Sequence, residues 1–123
     1  METIVKNCKV AFIRPEFRNL KEWCEDPRNV YIARRGVVFV KEGDRKFRYP
    51  ERDSLFANPF KVGKNGTRTE VIDQYRVYIT RKLEENEDLV EELLKLRGKN
   101  LGCWCHPEAC HGDVLLEMIE RYS

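Results

Sequence analysis

Apolar residues recur along this chain with two different periods, and the change of period separates helices from strands. The clearest helical signal is Val71, Ile72, Tyr75, Tyr78, Ile79 and Leu83, which fall on one face at 3.6 residues per turn. Thr67-x-x-Glu70 stands just before it with capping-box spacing, so a helix is predicted from Thr67 to about Glu85. A second helix is predicted over 87–97: Asn86 is its cap candidate, Leu89, Val90, Leu93, Leu94 and Leu96 its apolar side, and Gly98 its stop. Val114, Leu115, Met118, Ile119 and Tyr122 define a last helix from about Gly112.

Shorter apolar runs read as strands. Lys9–Ile13 resembles a buried strand ending at Arg14-Pro15, and Phe17, Leu20 and Trp23 suit a short helix after it. Asn29–Ala33 is a further apolar run, and Lys99–Trp104 a strand before the last helix. Val37–Lys41 and Arg45–Tyr49 flank Glu42-Gly43-Asp44, which predicts a β-hairpin bent at the glycine. Residues 52–65 read as loop. Strands alternating with helices predict the α/β class. The expectation is a single compact Rossmann-like domain over residues 1–123, with a small, mostly parallel sheet flanked by helices and a β-hairpin.

Composition narrows the setting. A length of 123 residues can bury a core without staples, and five cysteines do not pair off evenly. The first residues lack the apolar run of a signal peptide and no stretch matches a membrane span, so a soluble protein in a reducing cytoplasm is expected. The net charge of +2 hides an asymmetry: residues 1–68 hold 16 Lys/Arg against 9 Asp/Glu, and residues 69–123 hold 7 against 12. The basic half offers a field for phosphate-bearing ligands, or simply a solvated face.

The densest chemistry lies between Cys103 and His111, where Cys103, Cys105, His106, Cys110 and His111 share nine residues. On the predicted scaffold they occupy a strand end, a tight loop and a helix start, a position where ligands bind in open α/β sheets and where backbone amides favour anions. Cys103 and Cys105 would face the same side if the strand ran through both. Three readings stay open. A cysteine near the helix start acts as nucleophile or polar anchor, with His111 or His106 carrying a proton and Asp113 either orienting a histidine or serving as an ordinary first-turn acid. Alternatively, Cys103, Cys105, Cys110 and His106 or His111 bind zinc, although all these ligands crowd into one short stretch, unlike paired zinc knuckles. In the third, the thiols pack under Trp104.

Outside the cluster, the basic loop Asn58–Arg68 leads into the Thr67 helix but is no P-loop. Asparagine stands at 58 where the first glycine belongs, and Asn65 follows Lys64 where Ser or Thr is required. Its amides with Lys61, Lys64 and Arg68 can still hold an anion, and Asn58 can read a polar edge. Arg34, just past a strand, is a candidate phosphate or carboxylate clamp, and Arg76 on the long helix is a second.

Taken together, Val30-Tyr31-Ile32-x-Arg34, Asn58-Pro59-Phe60, Thr67-Arg68-x-Glu70-Val71-Ile72 with Tyr75-Arg76, and Leu101-Gly102-Cys103-Trp104-Cys105-x-Pro107-x-x-Cys110-His111-Gly112-Asp113-Val114-Leu115 resemble the Domain of Unknown Function 4326 family over about 29–120. The resemblance implies a compact α/β domain of bacterial, phage or large-DNA-virus kind and no established reaction. A short stretch at the end also resembles Domain of Unknown Function 488. Ala33 stands where the first family usually has glycine, Phe56-Ala57 where it has tryptophan and glycine, and the stretch 35–56 is longer, which fits an added hairpin.

The functional expectation is binding of an anionic, nucleotide-like or otherwise phosphorylated small molecule beside the last helix. Arg34, Asn58, Pro59, Phe60, Lys61, Arg68, Arg76 and Trp104 would recognise it, and Cys103, Cys105, Cys110, His111 and Asp113 would supply any chemistry. The alternative is a non-catalytic, zinc-stabilised module whose basic half contacts nucleic acid or a protein partner. Zinc is the cofactor left open.

Overall fold

A computed structural model describes residues 2–123. Among the described residues, five strands and five helices follow in the order β1 (Ile4–Asn7), α1 (Val10–Ile13), α2 (Leu20–Glu25), β2 (Asn29–Tyr31), β3 (Val38–Glu42), β4 (Arg45–Tyr49), α3 (Arg68–Glu85), α4 (Glu87–Leu94), β5 (Asn100–Cys103) and α5 (His111–Tyr122). Strands β1, β5 and β2 form a parallel sheet in that order, and β3 and β4 form a separate antiparallel hairpin. The class is mixed α/β, as expected.

The central position of β5 dictates the layers. Leu101 pairs with Val5 on one side and Val30 on the other, and successive side chains alternate across the sheet. Leu101, Cys103, Val5 and Ile32 therefore enter a core closed by Tyr75, Ile79, Leu93, Val114 and Leu115 of α3, α4 and α5. Cys8, Tyr31 and Trp104 enter a second core with Ile13, Leu20 and Trp23 of α1 and α2. Between them Gly102 faces α2, and a Cβ there would lie 2.5 Å from Trp23 Cη2. Glycine is what allows the indole to lie on the sheet.

Helix α3 begins as its capping box requires: Glu70 N–H donates to Thr67 Oγ1 at 3.2 Å and Thr67 N–H to Glu70 Oε1 at 3.0 Å. Asn86 likewise caps α4, accepting from Leu89 N–H at 3.2 Å. The hairpin turns at Gly43, whose φ is 59°, a conformation that favours glycine.

Three expectations need correction. The apolar run Lys9–Ile13 is not a strand; β1 is Ile4–Asn7, and the run forms the short helix α1. Asn7 causes the break, because its Oδ1 accepts from Lys9 N–H at 3.0 Å and turns the chain. Only Ile13 of α1 is buried, and Phe12 remains 64% exposed. Helix α4 ends at Leu94 and a series of tight turns carries the chain to Gly98, φ 78°. Strand β5 stops at Cys103, so Cys103 and Cys105 do not share one strand face.

Candidate functional site

Cys103 closes β5 with its thiol turned toward the α3–α5 core. Cys110 is the N-cap of α5, and its Sγ lies 3.4 Å from Cys103 Sγ. The cap follows the capping-box logic with sulfur in place of a hydroxyl: Gly112 N–H donates to Cys110 Sγ at 3.3 Å, and the Asp113 carboxylate accepts from Cys110 N–H at 3.1 Å. Gly112 lets this end approach the sheet, since a Cβ there would meet Val5, Ile32 and Cys110 Sγ at 3.0–3.2 Å. Asp113 thus serves the helix start.

The two buried sulfurs share protons unequally. The Cys110 thiol donates to Cys103, whose sulfur also faces the backbone N–H groups of His106 and Cys105; these bonds lower its pKa against the opposing effect of burial, to about 6. Cys110 is pushed far upward, first by that same bond and then by burial. The favoured ionised form of the pair is a Cys103 thiolate held by a Cys110 thiol. A cysteine–cysteine hydrogen bond, not a disulfide, joins β5 to α5.

His111 is held through one ring nitrogen. Its Nε2 is 2.6 Å from the Ile32 carbonyl, and because a carbonyl only accepts, Nε2 carries the proton. Burial lowers the pKa of the ring, which packs edge-on against Tyr75 at 5.1 Å between centroids. A neutral imidazole therefore fastens the start of α5 to the end of β2.

A cleft of about 390 Å³ opens beside these groups, at the carboxyl ends of β2 and β5. Arg34, Lys61 and Arg68 bring positive charge to it, Phe60, Val62 and Ile72 an apolar wall, and Cys103, Cys105, Cys110 and His111 its floor. Arg34 is set in place through its backbone: Trp104 Nε1–H donates to Tyr31 Oη at 2.9 Å, and Tyr31 Oη–H donates to the Arg34 carbonyl at 2.6 Å. Arg68, from the first turn of α3, pairs with Glu108 at 3.0 Å, donates to the Ala109 carbonyl at 3.3 Å, and is raised in pKa first by a hydrogen bond with Cys105. It ties α3 to the loop between Cys105 and Cys110.

The other expected ligand contacts divide. Asn58 lines the cleft, but its side chain is engaged within the fold, accepting from Phe60 N–H of its own loop at 2.9 Å and donating to the Val71 carbonyl of α3 at 3.4 Å. Trp104 lines the cleft with its N–H already used. Pro59 is exposed and outside the lining. Arg76 is also elsewhere, between α3 and α5, where Glu117 and Asp73 hold it at 3.0 and 2.9 Å. The zinc set is not assembled: among the described residues no three Cys, His, Asp or Glu side chains converge on a metal position, and His111 Nε2 is committed to a carbonyl. Sequence reasoning missed Tyr31, Arg35 and Val37. Tyr31 was legible only as one residue of an apolar strand, since its role depends on Trp104 in the neighbouring loop.

Fold and site together define a small mixed α/β protein with a thiol-floored, basic-sided cleft at the end of a parallel sheet. The chain belongs to the family described as "Domain of unknown function (DUF4326)", which matches residues 16–121. That match begins before β2 and takes in α2. The chain is 36% identical over 61 residues, 49% of its length, to an uncharacterised 12.4 kDa protein from the nrdA-td intergenic region of Enterobacteria phage T4. It is 32% identical over 82 residues, 58% of its length, to an uncharacterised protein of Acanthamoeba polyphaga mimivirus. The matches span 56% and 59% of those relatives. No solved structure matches the chain. No helix among the described residues is long and apolar enough to cross a membrane.

Proposed function

We propose that the cleft binds a nucleotide-like, phosphate-bearing small molecule, with the Cys103–Cys110 pair available for chemistry on it. One observation carries the reading: segments far apart in the chain place Arg34, Lys61 and Arg68, an apolar wall and a paired thiol around a single cavity. The mixture suits a ligand with a flat apolar part and an anionic part. The location, beyond the carboxyl ends of parallel strands and beside the N-terminus of α5, is where Rossmann-like sheets hold phosphates. Under this reading Arg34 and Arg68 contact the anion, Phe60 and Ile72 the base, and Cys103 is the nucleophilic sulfur. His111, already bonded through Nε2, holds the frame.

Thermal denaturation with a panel of nucleoside mono-, di- and triphosphates, the unphosphorylated nucleosides and inorganic phosphate tests it. A ligand at about a hundred times its Kd adds roughly 2.7 kcal/mol, a shift of about ten degrees for a chain of this size. Phosphorylated members should raise Tm, nucleosides should not, and Arg68→Ala should abolish the shift. A panel in which nothing raises Tm overturns the proposal.

A further inference from the structure

The hairpin presents a surface that the cleft does not use. Its register sets Phe39 opposite Arg48 and Lys41 opposite Lys46, so alternation places these four side chains on one face. The other face points inward: Val40 is buried, Val38 and Tyr49 pack on the α2 core, and Glu42 pairs with Lys21 at 2.7 Å. The outer face carries three cations and no carboxylate. Among the described residues none of those cations is paired with an acid, and Phe39 is 58% exposed.

The arrangement around Phe39 is specific. Lys46 Nζ and Arg48 Cζ each lie 4.9 Å from its ring centroid, so an aromatic face and two positive charges form one patch. Arg48 also donates to the Gly36 carbonyl at 3.1 Å, which steadies the root of the hairpin. Arg35 lies beside Arg48 there and also lines the cleft, while Glu51 stands at the edge of that depression. Positive charge thus runs from the cleft mouth to the ribbon.

We infer that the outer face of the β3–β4 hairpin is a binding platform for single-stranded nucleic acid, with Phe39 stacking on a base and Lys41, Lys46 and Arg48 contacting successive phosphates. An unstacked strand offers both an exposed base face and a regular row of negative charge, and this patch offers the complement of each. A duplex keeps its base faces stacked and matches only the charge. The inference does not depend on the cleft holding a small molecule.

Fluorescence anisotropy of a labelled oligothymidylate with the full chain, over a salt series, tests it. Three phosphate contacts give a slope of log K against log salt of about −2, and Lys41→Ala with Lys46→Ala should reduce it to about −0.7. Phe39→Ala should weaken binding about tenfold at fixed salt. Both variants alter exposed side chains, so unchanged circular dichroism is expected, and the nucleotide panel should shift their Tm as for the parent. Binding lost equally by Arg68→Ala would relocate the site to the cleft and overturn the inference. So would absence of binding at low salt, indifference to Phe39→Ala, equal affinity for blunt duplex, or retention only on anionic lipid vesicles.

Discussion

Cys110→Ala removes the thiol that donates to Cys103 Sγ while leaving the His106 and Cys105 amides beside that sulfur. A hydrogen bond to a charged group contributes about 1.5–3 kcal/mol, and one pKa unit corresponds to about 1.4 kcal/mol. The Cys103 pKa should therefore rise by about one to two units. Ultraviolet titration of thiolate absorbance reads the ionisation directly, and subtraction of a Cys103→Ser titration assigns the step. The parent should lose a proton near pH 6, and the alanine variant only at higher pH. Loss of the cap at Gly112 N–H should also cost about 1 kcal/mol of stability. A parent with no thiolate below pH 8, or a step that stays in place in Cys110→Ala, refutes the assignment of the proton.

The same pair governs stability against pH. Cys103 has a folded pKa below its ordinary 9.0, so its contribution is present above 9.0 and is lost as pH falls toward about 6. Cys110, pushed up, contributes below its ordinary 9.0 and loses that contribution as pH rises further. Cys24, raised by burial to about 11, and Cys8, raised further by burial, act in the second direction. Stability should climb between about pH 6 and 9, by at most about 1.4 kcal/mol per unit, and fall beyond. Denaturant midpoints across that range, repeated in Cys103→Ser, separate this pair from the carboxylates.

Three further outcomes are expected. Gly102→Ala puts a methyl 2.5 Å from the Trp23 ring and should cost about 1–3 kcal/mol through overpacking, read as a lower urea midpoint at constant m; a change under about 0.5 kcal/mol would contradict the packing. Arg76→Ala removes half-exposed ion pairs with Glu117 and Asp73 and should cost no more than about 1 kcal/mol, with nucleotide-induced Tm shifts equal to the parent's. Protein purified without added zinc should contain well under one equivalent by elemental analysis and keep its Tm under chelator, because the cysteine and histidine donors do not converge; stoichiometric zinc whose removal unfolds the chain would refute that geometry.

What was readable in the chain differs between fold and site for a physical reason. Helix α3 was legible because its cap and its apolar period are local properties, set within four residues. The run Lys9–Ile13 was misread because four apolar neighbours look alike whether or not they are buried, and the turn that exposes them depends on Asn7. Cys103, Cys110, Arg34, Lys61 and Arg68 could be singled out by residue type and by position at element ends. Their roles could not, since each is decided by a partner from another segment. His111 meets the Ile32 carbonyl 79 residues away, and Arg68 meets Ala109 41 residues away. The parallel order β1-β5-β2 creates those meetings by bringing the end of β5 beside the end of β2. In that meeting Cys110 is the proton donor and helix cap, and Cys103 is the sulfur on which backbone amides and the neighbouring thiol favour charge. If the cleft performs chemistry, the ionisable sulfur is at the strand end and the helix start serves to hold it.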